Sequence, residues 1–257
     1  MAVNTLCFSP TGGTRRVVDA LVGAWSGEGA TLDLSDRAVD FAAQAYGEGD
    51  VCLIGVPSFG GRVPDAALEH LALVDGGGAA AVLVVAYGNR AYDDTLLELA
   101  DAAKASGFRV VAAVAAATEH SIMRQFGTGR PDVRDLEELH AFANRIASAV
   151  DGAAARTLEE PVLPGSHPFR AYDGVPFKPK AGKACTDCGS CARSCPVGAI
   201  PEADPTCTDK DRCISCMRCI VLCPQGARKL NRAVLFVAGK KMAKVCGSRK
   251  PNELFLV

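Results

Sequence analysis

Aromatic residues are scarce in this chain, at 6% of 257 residues with a single tryptophan. Apolar runs stay short as well. None reaches the roughly 18 residues that a membrane-spanning helix needs. The N-terminus has no basic segment leading into an apolar one, so no export signal is expected. Net charge is only −1, which predicts neither nucleic acid nor a membrane surface as a bulk partner. Two motifs are missing outright. Without G-x-x-x-x-G-K-[ST] there is no case for ATP or GTP hydrolysis, and without G-x-G-x-x-G there is none for a Rossmann nicotinamide site.

What is present divides the chain in two. Residues 1–150 hold 11 Lys and Arg against 19 Asp and Glu, a net of −8. Residues 151–257 hold 17 against 10, a net of +7, so the halves are electrostatically opposite. Apolar residues make up 49% of the whole, enough to build a core. Twelve cysteines without an export signal argue against a disulfide framework and for metal ligation in a reducing cytoplasm.

The acidic half alternates strand-like with helix-like segments. Strands are expected at 3–8, 30–34, 50–56, 79–86 and 109–116, the third and fourth apolar throughout as strands covered on both faces should be. Helices are expected at 14–25, 64–74, 93–106 and 134–150, with Pro64 at a first helical position. The pattern predicts an α/β domain over 1–150 built on a doubly wound five-stranded parallel sheet, with ligands at the carboxyl ends of the strands. The triple glycine at 76–78 reads as a flexible connection without a chemical role. Residues 151–183 are rich in Pro and Gly and lack periodicity, so they are expected to form an extended linker over the surface.

Cysteine organises the rest of the chain. "CTDCGSCARSCPVGAI" at 185–200 is repeated 28 residues on as "CISCMRCIVLCPQGAR" at 213–228, each reading C-x2-C-x2-C-x3-C-P followed by Gly-Ala. Three thiolates at this spacing hold three corners of an iron–sulfur cube, and the fourth, before proline, reaches the other cube. The expected ligand sets are therefore Cys185, Cys188, Cys191 and Cys223 for one [4Fe–4S] cluster, and Cys213, Cys216, Cys219 and Cys195 for the second. Zinc sites use separated C-x2-C pairs, a spacing these bunched quartets do not offer. The segment resembles the bacterial two-cluster ferredoxin, and a small α+β ferredoxin-like domain is expected over 184–230. Of the remaining cysteines, Cys7 and Cys52 read as core residues, Cys246 as structural and Cys207 as a free thiol between the repeats. Residues 231–257 are expected to form a basic C-terminal helix or tail.

The loop "SPTGGT" leaves the first strand and enters the first helix, where unpaired backbone N–H groups and hydroxyls suit an anion. Ser9, Pro10, Thr11, Gly12, Gly13 and Thr14 resemble the FMN-phosphate loop of flavodoxins. After the third and fourth strands, "PSFGGRVP" and "YGNRAYDD" supply Pro57, Ser58, Phe59, Gly60, Gly61 and Arg62, and then Tyr87, Gly88, Asn89, Arg90 and Tyr92, as candidates for holding the flavin ring. With "EHS" at 119–121, "GRPD" at 129–132 and both cysteine quartets, the chain resembles the ferredoxin–flavodoxin fusion proteins of anaerobic prokaryotes. Phe59 stands where such loops often carry Tyr. The resemblance implies strand order 2-1-3-4-5, bound FMN and two clusters.

A flavin beside two clusters converts between electron pairs and single electrons. The expected function is electron transfer with a redox partner protein, which an acidic partner would serve by docking on the eight basic residues of 227–250. The competing expectation is an iron–sulfur flavoenzyme reducing a small substrate, with His120, Tyr87, Tyr92 and Arg90 as proton donors or clamps. His120 otherwise reads as a packing histidine.

Overall fold

The computed structural model describes residues 2–25, 27–150 and 158–257. Over the first 150, strands and helices alternate as β1 (Ala2–Cys7), α1 (Gly13–Val22), β2 (Gly27–Asp33), β3 (Val51–Pro57), α2 (Asp65–Leu71), β4 (Ala80–Tyr87), α3 (Thr95–Ala105), β5 (Arg109–Ala117) and α4 (Val133–Ala149). Every residue of β4 is buried, as is all of β3 except its last. Two apolar layers account for that burial. Leu6, Ile54, Leu83 and Leu99 belong to one, and Val17, Leu53, Val84 and Ile146 to the other, on the opposite face of the sheet.

The strands run parallel in the order β2-β1-β3-β4-β5, the doubly wound flavodoxin-like arrangement expected from the sequence. A sixth strand joins it from the far end of the chain. After α7 (Arg232–Cys246), β8 (Glu253–Phe255) pairs antiparallel with β5, placing Ala113 opposite Phe255 and Ala115 opposite Glu253. The C-terminal segment is thus no free tail, because it covers an edge that β5, "RVVAAVAAA", would otherwise leave bare. Pro64 also departs from expectation: at φ −60°, ψ 131° it is extended and caps α2 from outside. The triple glycine is a close-packed corner. A Cβ on Gly77, whose φ is +50°, would stand 2.1 Å from the Tyr46 carbonyl oxygen.

Of the expected linker, 151–157 lies outside the described residues. From 158 to 179 the chain has no regular structure, yet it is fastened. The buried carboxylate of Asp94 accepts hydrogen bonds from the amides of Ser166 (3.1 Å) and Arg170 (2.7 Å). A small second unit then folds between the short paired strands β6 (Lys180–Ala181) and β7 (Arg228–Lys229). Its two cysteine repeats each carry a single helical turn, α5 (Ser190–Arg193) and α6 (Arg218–Val221).

Those repeats show why Gly-Ala follows Cys-Pro twice. Gly198 and Gly226 take positive φ angles of 61° and 54°, which turns the next amide back toward the cysteine. Ala199 N–H then donates to Cys195 Sγ at 3.3 Å, and Ala227 N–H to Cys223 Sγ at 3.2 Å. Donors of this kind favour a thiolate over a thiol.

Candidate functional site

A cavity of about 1100 Å³, counting its open mouth, lies at the carboxyl ends of β1, β3, β4 and β5. Its floor begins at the N-terminus of α1. Gly12 precedes the helix with φ 87° and has no side chain with which to cap it, so helix geometry leaves the Gly13 and Thr14 amides without intrahelical partners. Ser9 does not face the cavity: its Oγ accepts the Arg15 amide at 2.9 Å. Pro10, Thr11, Gly13 and Thr14 do line it.

The other sequence candidates divide the same way. Pro57, Ser58, Phe59, Gly60, Gly88 and Arg90 line the cavity, whereas Gly61, Arg62, Tyr87, Asn89 and Tyr92 do not. Each of the four larger side chains is engaged elsewhere. Arg62 grips Glu98 with two nitrogens, Tyr87 Oη donates to the Pro251 carbonyl at 2.7 Å, and Tyr92 Oη donates to Glu253 at 2.9 Å. Asn89 Nδ2 donates to the carbonyls of Cys246 (2.7 Å) and Ser248 (2.9 Å). These polar groups were available to a ligand by sequence position alone; the returning C-terminal segment takes three of them.

Walls that sequence reasoning missed come from outside the doubly wound unit. Tyr172, Val175 and Phe177 of the 158–179 segment, Ile214, Ser215 and Cys216 of the second cysteine repeat, and Met242 of α7 complete the cavity. Tyr172 lies so close over Gly60 that a Cβ there would stand 2.2 Å from its ring. The aromatics within the Pro-rich stretch were the available signal, since a solvated linker has little use for them.

His120, after β5, also lines the cavity. Its Nδ1 accepts from the amides of Ile122 (3.2 Å) and Met123 (3.3 Å), so the ring carries its proton on Nε2. Burial, with the positive charge of Arg90 behind it, lowers its pKa below the ordinary histidine value. Both facts make it a neutral packing ring rather than a ready proton donor.

Each cysteine quartet surrounds a cavity of its own. Cys185, Cys188, Cys191 and Cys223 line one of about 320 Å³, and Cys195, Cys213, Cys216 and Cys219 line another of about 350 Å³, both counting space open to solvent. The fourth cysteine of each repeat has crossed to the other's cavity. Four thiols lining each of two neighbouring cavities, one of the four crossing over from the other repeat, are the donor set that a pair of metal–sulfide cubes takes. Burial pushes the thiols of Cys216 and Cys219 up to about 12, so thiolates at these positions need a cationic metal centre to hold them. An arginine borders each cavity, Arg228 buried at one and Arg218 partly exposed at the other, and each has an Nε–H without an acceptor among the described protein atoms. This donor set fits an anionic iron–sulfur cluster in both places.

The cavities adjoin. Cys216 lines both the large cleft and the second cysteine cavity, and is the cysteine common to the two.

The 4Fe-4S binding domain family matches residues 183–200 and 207–229. No curated protein matches the chain. Among solved structures, a flavodoxin from the domain Archaea is similar at 16% identity over 59% of this chain and 100% of its own, with a TM-score of 0.44. The Streptococcus pneumonia TIGR4 flavodoxin is similar at 17% identity over 58% of this chain and 100% of its own, with a TM-score of 0.39. An NAD(P)H:quinone oxidoreductase from Methanothermobacter marburgensis is similar at 16% identity over 59% and 96%, with a TM-score of 0.33. Among the described residues no helix is long and apolar enough to cross a membrane.

Proposed function

We propose that this chain is an electron-transfer protein that holds FMN in the large cleft and two [4Fe–4S] clusters in the cysteine cavities, and exchanges electrons with a partner protein. FMN handles electrons in pairs or singly and each cluster carries one, so the three centres together join two-electron to one-electron chemistry. The observation that carries the reading is the position of Cys216, which lines both the large cleft and the adjoining cysteine cavity.

The chain's own groups suit these roles. The first-turn amides of α1, with the hydroxyls of Thr11 and Thr14, would hold the phosphate. Phe59 and Tyr172 offer aromatic walls to the ring. Tyr172, Phe177 and Met242 add walls from outside the doubly wound unit, and His120 keeps a neutral ring. Both features favour a carrier over a flavoenzyme that must admit a substrate and protonate it. With every cysteine free of disulfides, a reducing cytoplasm is the fitting compartment.

Anaerobic purification with flavin, iron and sulfide counts tests the reading. The expected result is one FMN and about eight irons per chain, with two cluster signals in an EPR-monitored titration. Stoichiometric zinc in place of iron would end it.

For the partner, α7 presents Phe236 and Val237, 65% and 56% exposed, beside Lys240, Lys241 and Lys244, with Lys240 Nζ 4.5 Å from the Phe236 ring centre. An apolar spot with a cationic rim fits an acidic electron carrier. Charge reversal by Lys240→Glu with Lys241→Glu is expected to slow reduction of an acidic carrier about tenfold at low salt, and added salt to erase the difference. Equal rates at every ionic strength would remove α7 from the docking surface.

A further inference from the structure

Arg228 is 2% exposed, among the largest fully buried side chains described. Its partners are all neutral. Nη1 donates to Thr208 Oγ1 at 2.6 Å, Nη2 donates to the carbonyls of Pro205 and Cys207, and Nε has no acceptor. No acidic side chain pairs with it among the described residues. A guanidinium buried without a counter-charge is destabilising by several kcal/mol, and carbonyl dipoles do not cancel a full charge. The side chain nevertheless borders the cavity of Cys185, Cys188, Cys191 and Cys223.

Arg218, at the other cysteine cavity, is differently placed. Its side chain is 17% exposed and Nη2 lies 3.4 Å from the Asp33 carboxylate, which neutralises part of its field. The charge of Arg228 also reaches Cys219 of the second quartet, but its side chain lines only the first cavity, and no carboxylate offsets it there.

We propose that Arg228 is the internal counter-charge of the cluster ligated by Cys185, Cys188, Cys191 and Cys223, and makes it the easier of the two clusters to reduce. The inference rests on the two-cluster reading. An iron–sulfur cube with four thiolates is anionic, and taking up one electron makes it more negative by one charge, with no bond made or broken. A fixed cation at the cavity wall stabilises the reduced form more than the oxidised one. Electrons leaving the flavin cleft through Cys216 then come to rest at the outer cluster, whose ligand Cys188 is exposed and open to a partner.

EPR-monitored redox titration of the full, cluster-loaded chain tests this with Arg228→Met and Arg228→Lys. A Cys216→Ala background, which leaves the outer cluster alone, assigns the signals. Arg228→Met should lower the equilibrium constant for reducing the outer cluster about tenfold, close to 59 mV for one electron, and should place it below the inner one. Arg228→Lys should restore most of that difference. Loss of iron in the Met variant with retention in the Lys variant also supports a charge role. Unmoved midpoints in a fully loaded Arg228→Met protein would overturn the proposal. Equal shifts in both variants, or loss of iron in both, would do the same by showing that Arg228 serves only to hold residues 205–208. A wild-type chain without about eight irons would instead defeat the cluster reading itself.

Discussion

Cys216→Ala is expected to halve the iron content, from about eight to about four per chain, and to cut electron passage between flavin and the remaining cluster while FMN stays bound. The argument is geometric. Cys216 is 9% exposed and faces the cleft on one side and the cavity of Cys195, Cys213 and Cys219 on the other. No replacement cysteine is at hand: Cys195, Cys213, Cys216 and Cys219 are the cysteines that line that cavity. The flavin should remain because the phosphate end of the cleft is built by residues 10–14, which do not depend on the cluster. Iron analysis gives the first readout. The second is rapid mixing of the reduced flavin form, followed at flavin and cluster wavelengths. Prompt oxidation of the flavin by the surviving cluster would show that electrons bypass Cys216, and the serial path would have to be abandoned.

Asp135→Ala should be the most destabilising single change in the doubly wound unit, at about 3–5 kcal/mol. Asp135 and Arg130 are 1% and 4% exposed and share two hydrogen bonds of 2.6 and 2.9 Å. The same carboxylate accepts from Arg249 at 2.7 Å and Asn252 at 3.1 Å, while Arg130 also donates to Asn89 and to the Lys250 carbonyl. Removing it strands a buried guanidinium and releases the segment that leads into β8. Thermal unfolding should fall by roughly 6–20 °C for a chain of this size. Asp19→Ala, which breaks an exposed pair with Arg15, should change stability by less than about 1 kcal/mol. Should the two variants melt together, the buried network would not be a source of stability.

The pH dependence has a definite sign. Burial pushes the Asp135 carboxyl up, but the hydrogen bonds from Arg130, the Asp132 amide and Asn252 outweigh it, and its pKa in the folded chain is lowered. A carboxylate depressed on folding contributes stability that is complete above its unfolded pKa of about 3.9 and is lost as pH falls through the folded value. The gap between wild type and Asp135→Ala should therefore close in acid below about pH 4 and stay constant above it.

Much of the fold was legible because its signals are local. Apolar runs such as "AAVLVVAY" define buried strands, the alternation of strand and helix defines a doubly wound sheet, and the repeated cysteine spacing marks the segments that match the 4Fe-4S binding domain family, all without reference to anything distant. The flavin cleft was half legible. Pro10, Thr11 and Phe59 belong to strand ends whose place follows from topology, but Asn89, Tyr87 and Tyr92 sit at equivalent ends and bond to residues more than 150 positions away.

By itself the sequence determined the alternation of buried strands with helices and the repeated cysteine spacing, since periodicity and spacing act over a few residues at a time. Only the tertiary structure decided that the C-terminus returns as β8, that Tyr172 and Met242 wall the cleft, that Cys216 lines both the cleft and a cysteine cavity, and that Arg228 is buried without a carboxylate. Each of these depends on which surfaces meet when the chain closes on itself, and hydrophobic burial rewards such meetings without leaving a pattern in either segment alone.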